Sequence, residues 1–303
     1  MRDRFTSQFM FVEAIERVDP FVRPILSIVR RYGSSEVIPA CSTMFFVNEQ
    51  ACAVTCKHVA EQLISSDTIH QNYIQFQGER RSIPRDKNQN RRQEDLEKKY
   101  NLRRESIIRI KNQFVNSVDQ FSEITYHLHP TQDLAIIQFK GYTQIKYNAC
   151  AVFLRDSSKI KQGRSLCRLG YPFPEFTNYR FNPDLDDIEW TADGRSNTPR
   201  FPIDGIVTRL RAENGEIVGV EMSTPGLRGQ SGGPLFDTNG IIFGMQSSTR
   251  HLHLGFDIED RDVIVNGRQT RVSNYPFLNV GQCVHVDIIK KFLRDLRIKY
   301  YEE

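Results

Sequence analysis

From Pro39 onward the sequence is a succession of short β-rich runs separated by polar or glycine-containing turns. Ten such runs occur: CSTMFFVN, ACAVT, YIQFQ, EITYHL, DLAIIQF, SLCRLGY, GIVTRL, EIVGVEM, GIIFGMQ and QCVHV. Several short strands with turn signals between them are typical of an all-β sandwich or of paired barrels. The sequence therefore predicts an all-β fold for most of its length.

Composition narrows the class of protein further. The chain has 303 residues, enough for one large domain or two modest ones. It contains no run of about 18 apolar residues, so it predicts no membrane-spanning helix. The N-terminal sequence MRDRFTSQFMFVEAIERVDP carries acidic residues where a signal peptide would have its apolar core. The six cysteines form no CxxC pair, and we expect free thiols in a cytoplasmic protein.

Helical patterns are expected at both ends of the chain. Apolar residues from Phe11 to Arg31 recur near helical spacing, and Pro20 and Pro24 interrupt them. This pattern predicts a short helix, a kink and a second helix, which together form an N-terminal helical extension over residues 1–36. The closing sequence VDIIKKFLRDLRIKYYEE places its apolar residues on one face and predicts a C-terminal helix.

Two segments interrupt the β pattern. Residues 79–111 contain 12 basic and 6 acidic side chains, an excess that exceeds the net charge of +4 for the whole chain. We expect exposed helices in an insertion over about residues 79–120. Acids are interleaved with the bases and no aromatic stacking pattern accompanies them, which favours a solvated face over a nucleic-acid site. The second insertion, about residues 250–279, is polar, and its VNGR sequence predicts a hairpin turn.

Three motifs carry residues with catalytic potential. His58 lies in VTCKHVAEQL, Asp133 opens QDLAIIQF, and Ser231 lies in the glycine-rich GLRGQSGGPLF. A serine hydroxyl is a weak nucleophile that needs a base, and histidine can accept its proton near neutral pH. A buried carboxylate can orient that histidine and stabilise its protonated form. Glycines around the serine let the N–H groups of Gly229 and Ser231 converge where an oxyanion would form.

The three motifs, in this order, resemble the chymotrypsin-like serine proteases, and among these the bacterial HtrA-like branch. GRSLCRLGYP, DGIVTRL, GIIFGMQS and GQCVHVDIIKKFL extend the resemblance to other strands. The resemblance implies two six-stranded antiparallel β-barrels with the active site between them. Residues 37–145 would then form the first barrel with the charged insertion, and residues 146–303 the second barrel with the polar insertion and the C-terminal helix.

The resemblance also implies roles for individual residues. His58 would be the general base, Asp133 its orienting partner and Ser231 the nucleophile, with Gly229 and Ser231 as the oxyanion hole. The backbone of Ser247 would pair with the substrate chain. The expected walls of the specificity pocket are Pro225, Gly226, Thr249, Gly281 and Cys283. None is charged, so we expect a small or medium uncharged substrate side chain and no preference for Arg or Lys.

The sequence departs from the digestive members of that family at several positions. Gln230 precedes the nucleophile where those enzymes carry an Asp that pairs with a newly cut N-terminus, so activation by that cleavage is not expected. Val59 and Leu227 occupy positions that are half-cystines in those relatives. No PDZ-like domain follows the predicted protease, so peptide regulation of the HtrA kind is not expected either.

Together these features predict a bacterial serine endopeptidase that cleaves protein substrates through an acyl-enzyme. The long insertions suggest a dedicated protein partner in stress or defence, and the polar insertion is expected to gate access to the pocket. We expect no cofactor, no metal site, no membrane association and no nucleic-acid partner. Two alternatives stay open: an inactive protease-like binding module, and a nucleic-acid-associated protein that uses the basic insertion.

Overall fold

The structure is a computed structural model that describes residues 10–303. Residues 1–9 of the predicted N-terminal extension lie outside the described residues. Within residues 10–303, no helix is both long enough and apolar enough to cross a lipid bilayer. The strands divide into two large antiparallel-rich sheets and three small two-stranded ones.

The first sheet contains six strands, and each neighbouring pair is antiparallel. The elements of this half are α1 (Val12–Val18), a 3₁₀ turn (Asp19–Phe21), β1 (Val22–Arg31), β2 (Val37–Phe46), β3 (Cys52–Thr55), α2 (Lys57–Arg81), α3 (Gln89–Lys99), β4 (Ile107–Phe114), β5 (Val118–Asp119), β6 (Glu123–Leu128), β7 (Ala135–Lys140) and β8 (Gln144–Ile145). The strand order is β4-β1-β2-β3-β7-β6. The sheet forms a half-barrel, and β5 pairs separately with β8.

The second sheet is a closed ring with two additional strands at its side. The elements of this half are β9 (Val152–Phe153), a 3₁₀ turn (Ser157–Lys159), β10 (Ser165–Gly170), β11 (Tyr179–Asn182), β12 (Asp187–Trp190), β13 (Phe201–Glu213), β14 (Glu216–Met222), β15 (Pro234–Phe236), β16 (Ile242–His253), β17 (Ile258–Val265), β18 (Arg268–Asn274), β19 (Phe277–His285), α4 (Val286–Asp295) and β20 (Tyr301–Glu302). β11 pairs with β12, and β17 with β18, in separate two-stranded sheets. The order β15-β10-β13-β14-β19-β16 closes because β15 also pairs with β16. Closure removes the exposed edges that an open sheet would leave unpaired.

One apolar core joins the two sheets. Phe45 of β2 contacts Phe153 of β9, with their ring centroids 6.3 Å apart, and both side chains are fully buried. The same cluster includes Phe236 of β15 and Leu293 of α4. Burial of apolar surface stabilises a fold by roughly 25 cal/mol per Å², so this shared core fixes how the two sheets face each other.

The all-β prediction is confirmed, and nine of the ten β-rich runs lie in strands. The exception is YIQFQ, which lies inside α2. Tyr73 and Phe76 are three positions apart, so both point to one face of that helix and pack against Ile108. A short run of this kind fits helical and strand spacing equally well, and tertiary contacts decided between them.

The prediction of a second N-terminal helix is wrong. Only Val12–Val18 is α-helical, and Val22–Arg31 forms β1 in the interior of the first sheet, between β2 and β4. The prediction of a helical extension over residues 1–36 is therefore wrong for the residues after the 3₁₀ turn, which ends at Phe21. Pro24 is accommodated because the pairing with β4 begins one residue later, at Ile25.

The helical insertion predicted at about residues 79–120 has different bounds. Helix α2 already begins at Lys57 and ends at Arg81, α3 covers Gln89–Lys99, and β4 at Ile107–Phe114 is a strand. Charged side chains on β4 concealed its strand character, since Arg109 and Lys111 pair with Asp187 of β12.

The polar insertion at residues 250–279 is built almost entirely of paired strands. The far ends of β16 and β19 pair from Arg250–Val280 to His253–Phe277, and β17 and β18 then form a hairpin. Asn266 and Gly267 occupy its turn with φ of +50° and +77°, as expected for a two-residue type I′ turn. The predicted VNGR turn and the C-terminal helix are both present.

Candidate active site

His58 and Asp133 are brought together by the start of α2 and the loop before β7. His58 is the second residue of α2, directly after the buried strand β3. Its Nδ1 lies 2.9 Å from Oδ2 and 3.0 Å from Oδ1 of Asp133. The backbone N–H of His58 also donates to Oδ1 of Asp133, at 3.0 Å. The carboxylate thus accepts a free N–H at the helix start and orients the imidazole at the same time.

The electrostatics of this pair suit a neutral base held by an ionised carboxylate. The hydrogen bond that Nδ1 of His58 donates to Asp133 raises the pKa of His58 above its ordinary value of 6.5, against a smaller opposing effect of burial. Burial by itself raises the pKa of Asp133, but hydrogen bonds from His58 and Ser247 outweigh it and lower the pKa to about 2. Asp133 is therefore ionised over the whole neutral range.

Ser247 on β16 connects the carboxylate to the serine. Its hydroxyl donates to Oδ2 of Asp133 at 2.7 Å, and its carbonyl accepts the hydroxyl of Ser231 at 3.3 Å. Sequence reasoning assigned only the backbone of Ser247 a role and missed its side chain. No local signal identifies this contact, because Asp133 lies 114 positions away in the chain.

Ser231 lies in a turn that only glycines can complete. A Cβ on Gly232 would stand 2.0 Å from the carbonyl oxygen of Thr43, and one on Gly233 would stand 2.3 Å from that of Leu169. Gly232 also has a φ of +87°. The carbonyl of Ser231 accepts the N–H of Thr43 at 3.0 Å, which attaches the turn to β2 of the first sheet.

The preceding turn arranges the expected oxyanion hole. The N–H of Gln230 donates to the carbonyl of Leu227 at 3.0 Å, and Gly229 has a φ of +91°. A closed four-residue turn with positive φ at its third position is type II. The N–H groups of Gly229 and Ser231 have no hydrogen-bond acceptor within residues 10–303. Both donors are therefore free to bind an external oxygen.

Gln230 holds this turn from inside the protein. Its side chain is fully buried; its Oε1 accepts the N–H of Leu227 at 3.0 Å and its Nε2 donates to the carbonyl of Phe201 at 3.1 Å. The hydroxyl of Thr43 adds a bond to the carbonyl of Gly229 at 2.7 Å. These neutral hydrogen bonds support the turn without any pairing to a cut N-terminus.

A cavity of about 520 Å³ opens beside Ser231. Its lining includes Pro225, Gly226, Ser247 and Thr249, which the sequence placed around the substrate. Gly281 and Cys283, the other two expected walls of the pocket, do not line this cavity. A Cβ on Gly281 would stand 2.3 Å from Nη1 of Arg168, so this guanidinium occupies the space beside the strand.

Two features of the site differ from a simple triad. Within residues 10–303, the hydroxyl of Ser231 bonds to Ser247 and makes no hydrogen bond to His58. Cys56, His58 and Asp133 also offer ligand atoms within 4.8 Å of one another, the one grouping of this kind among the described residues. Burial, reinforced by Asp133, raises the pKa of the Cys56 thiol well above 9.0, which disfavours the thiolate that a metal would need.

A half-barrel and a closed ring of antiparallel strands, with Ser231 at a cavity and the His58–Asp133 pair connected to it through Ser247, are typical of the chymotrypsin-like class of serine proteases. A family model described as a trypsin-like peptidase domain matches residues 41–245, more than half of the chain. The chain therefore belongs to the trypsin-like peptidase family and is a serine protease. No curated protein matches the chain.

Proposed function

We propose that the protein is an endopeptidase that uses Ser231, His58 and Asp133 through an acyl-enzyme. The observation that carries this proposal is a connected set of hydrogen bonds: His58 and Ser247 both donate to Asp133, and the Ser231 hydroxyl donates to the carbonyl of Ser247. It ends at the mouth of a cavity that can hold a side chain. Catalytic hydrogen bonds often shorten only when substrate binds, which accommodates the missing Ser231–His58 bond.

The chemistry follows from the groups present. His58 takes the proton of the Ser231 hydroxyl as its oxygen attacks the scissile carbonyl, and the carbonyl oxygen becomes an oxyanion. The N–H groups of Gly229 and Ser231 stabilise that charge, and one such donor contributes roughly 3 kcal/mol. The protonated His58 then gives its proton to the leaving amine. Water, activated by the same histidine, hydrolyses the ester.

β16 provides an edge for the substrate backbone. Its pairing with β19 shifts register between Gln246 and Ser248, so Ser247 lies outside the regular ladder. The Ser247 carbonyl can release the Ser231 hydroxyl and accept a hydrogen bond from an N–H of an extended peptide instead. Main-chain pairing of this kind contributes affinity, whereas the cavity selects one side chain.

Covalent labelling tests the proposed nucleophile directly. A fluorophosphonate should label the purified protein at one site per chain, and peptide mass analysis should place the label on Ser231. An N–H pair already free to bind the phosphonyl oxygen supports this reactivity without prior cleavage. A protein that is folded yet never labelled would instead be a protease-like binding module.

We also propose that the β17–β18 hairpin restricts access of large substrates. The strands that lead into it line the cavity through Thr249 and His251 on β16 and Asn279 on β19. The N–H of Leu254 donates to the carbonyl of Pro276 at 3.0 Å, so the insertion can be cut beyond this bond.

Replacing residues 255–275 by a two-residue turn should raise cleavage of a denatured protein about tenfold and leave cleavage of short peptides unchanged. Both rates are measured as kcat/KM. Ile264→Thr, at a site that is 78% exposed, keeps the hairpin and should behave like the unaltered protein. Equal cleavage of the denatured protein with and without the hairpin would contradict the gate.

The biological setting is a further part of the proposal. We propose a bacterial, cytoplasmic enzyme of the HtrA-like branch that acts with a dedicated protein partner in stress or defence. We also propose a domain boundary near residue 146, between β8 and β9. Support comes from the six free cysteines, the long insertions and the distribution of the two large sheets.

A further inference from the structure

The cavity beside Ser231 carries positive charge in its lining and no negative charge. Its lining includes two basic side chains, Arg228 and His251, and no acidic one. Arg228 is exposed at the turn before the nucleophile, and Nδ1 of His251 contacts Oδ1 of Asn279 at 2.6 Å. The sequence drew attention only to uncharged walls, because these two residues lie outside the positions that the family resemblance assigns to the pocket.

A third basic group lies directly behind the wall. Arg168 on β10 has no exposed surface. Its Nη1 donates to Oε1 of Gln246, which lines the cavity, at 2.7 Å. Its Nη2 donates to the carbonyl and hydroxyl of Thr224, at 3.0 Å and 2.5 Å. All these acceptors are neutral, and Nε has no hydrogen-bond partner among the described residues.

A buried guanidinium without a carboxylate is unusual. Arginine keeps its charge in proteins, and a buried charge is costly unless an opposite charge pairs with it. Asp204, whose negative charge acts on Arg168 from a distance, is exposed and makes no hydrogen bond to it within residues 10–303. Among the described residues, no carboxylate therefore pairs directly with this guanidinium.

Gln246 can transmit the charge to a ligand. Its Oε1 is held by Arg168, and its Nε2 donates one N–H to the carbonyl of Ser248 at 2.7 Å. A carboxamide nitrogen carries two N–H groups, so the second remains for a ligand. A Cβ on Gly226 would stand 2.2 Å from Nε2, which puts this amide against the cavity wall at Gly226.

We propose that the cavity selects substrates with an acidic side chain, Glu or Asp, immediately before the scissile bond. The carboxylate accepts from the Gln246 amide and is attracted by the guanidinium groups of Arg168 and Arg228. This inference rests on the proposed function, because it assumes cleavage at Ser231. It replaces the expectation of a small or medium uncharged side chain, which considered only the residues of the wall.

Matched peptides test the preference in the unaltered protein. The peptides differ only in the residue before the scissile bond: Glu, Gln, Asp, Asn, Leu or Lys. Gln and Asn have nearly the same shape as Glu and Asp without the charge. We expect kcat/KM for Glu to exceed that for Gln by at least tenfold, and Lys to be the poorest. Equal or faster cleavage after Gln or Leu would overturn the proposal.

Variants locate the source of the preference. Arg168→Met should reduce the Glu-to-Gln ratio toward one, and Arg168→Lys should retain part of it. The ratio is independent of overall activity, so it separates a role in specificity from a structural one. Arg228→Gln changes an exposed residue, and we expect it to lower the ratio severalfold even if Arg168→Met does not fold. An unchanged ratio in every folded variant would contradict the assignment.

The outcomes also separate this inference from the proposed function. Cleavage after uncharged residues, with normal labelling of Ser231, would leave the protease intact and remove the acidic preference. If Ser231 is labelled but no short peptide is cleaved, the preference is tested by mapping cleavage sites in a denatured protein mixture. Sites with mostly uncharged or basic residues immediately before the cut would overturn the acidic preference. Absence of both labelling and cleavage would remove both proposals.

Discussion

Ser231→Ala should eliminate fluorophosphonate labelling and lower kcat for peptide cleavage by about 10⁴-fold or more. The substitution removes the nucleophile and one hydrogen bond, the 3.3 Å contact with the carbonyl of Ser247. The N–H of residue 231 and the glycine turn stay in place. We therefore expect an unchanged melting temperature, so that loss of activity reports chemistry and not unfolding.

Two further variants complete this test. His58→Ala should lose labelling as Ser231→Ala does, because an isolated hydroxyl is a poor nucleophile. Ser196→Ala makes the same change at an exposed serine and should react like the unaltered protein. Labelling that persists in Ser231→Ala would show that another side chain is the nucleophile.

Asp133→Asn should lower kcat by about 10⁴-fold and change how activity depends on pH. An amide N–H in place of a carboxylate oxygen opposes the N–H at Nδ1 of His58 and favours the wrong tautomer. The Ser247 hydroxyl and the backbone N–H of His58 also lose a charged acceptor. The measurement is kcat/KM for one peptide between pH 5 and pH 9.

The direction of the pH effect follows from the raised pKa of His58. The base must be neutral, so activity of the unaltered protein should fall as pH decreases through a pKa above 6.5. Asp133→Asn removes the group that raises this pKa, so the residual activity should fall only at lower pH. Asp184→Asn changes an exposed carboxylate and serves as the control. If kcat/KM of Asp133→Asn falls at the same acidic pH as that of the unaltered protein, the result would argue against the His58–Asp133 pair.

Local sequence patterns were sufficient to predict most of the strands and to find the three motifs. Runs such as DLAIIQF and SLCRLGY are apolar, flanked by turn residues, and too short for ordinary helices. The Asn266–Gly267 turn needs a positive φ at both residues, so two adjacent letters were enough to predict it. These features depend on neighbours in the chain, which a sequence displays directly.

β1 and β4 were misjudged because their stability comes from distant partners. Val22–Arg31 carries apolar residues that fit a helix, and pairing on both sides with β2 and β4 makes it a strand. Arg109 and Lys111 on β4 form ion pairs with Asp187, which lies more than 70 positions away. Helix or strand preference is weak compared with such tertiary contacts.

Ser231, His58 and Asp133 could be proposed from the sequence because short motifs mark their chemical types, and the glycines beside Ser231 reveal a turn. The side-chain role of Ser247, the buried support from Gln230 and the charge of Arg168 behind the cavity depended on the fold. Each involves residues that are far apart in the chain. The strength of hydrogen bonds and of charge interactions depends on how close the groups are in space, which the sequence does not display. The sequence by itself determined which chemical groups this protein carries, whereas the tertiary structure decided which of them meet.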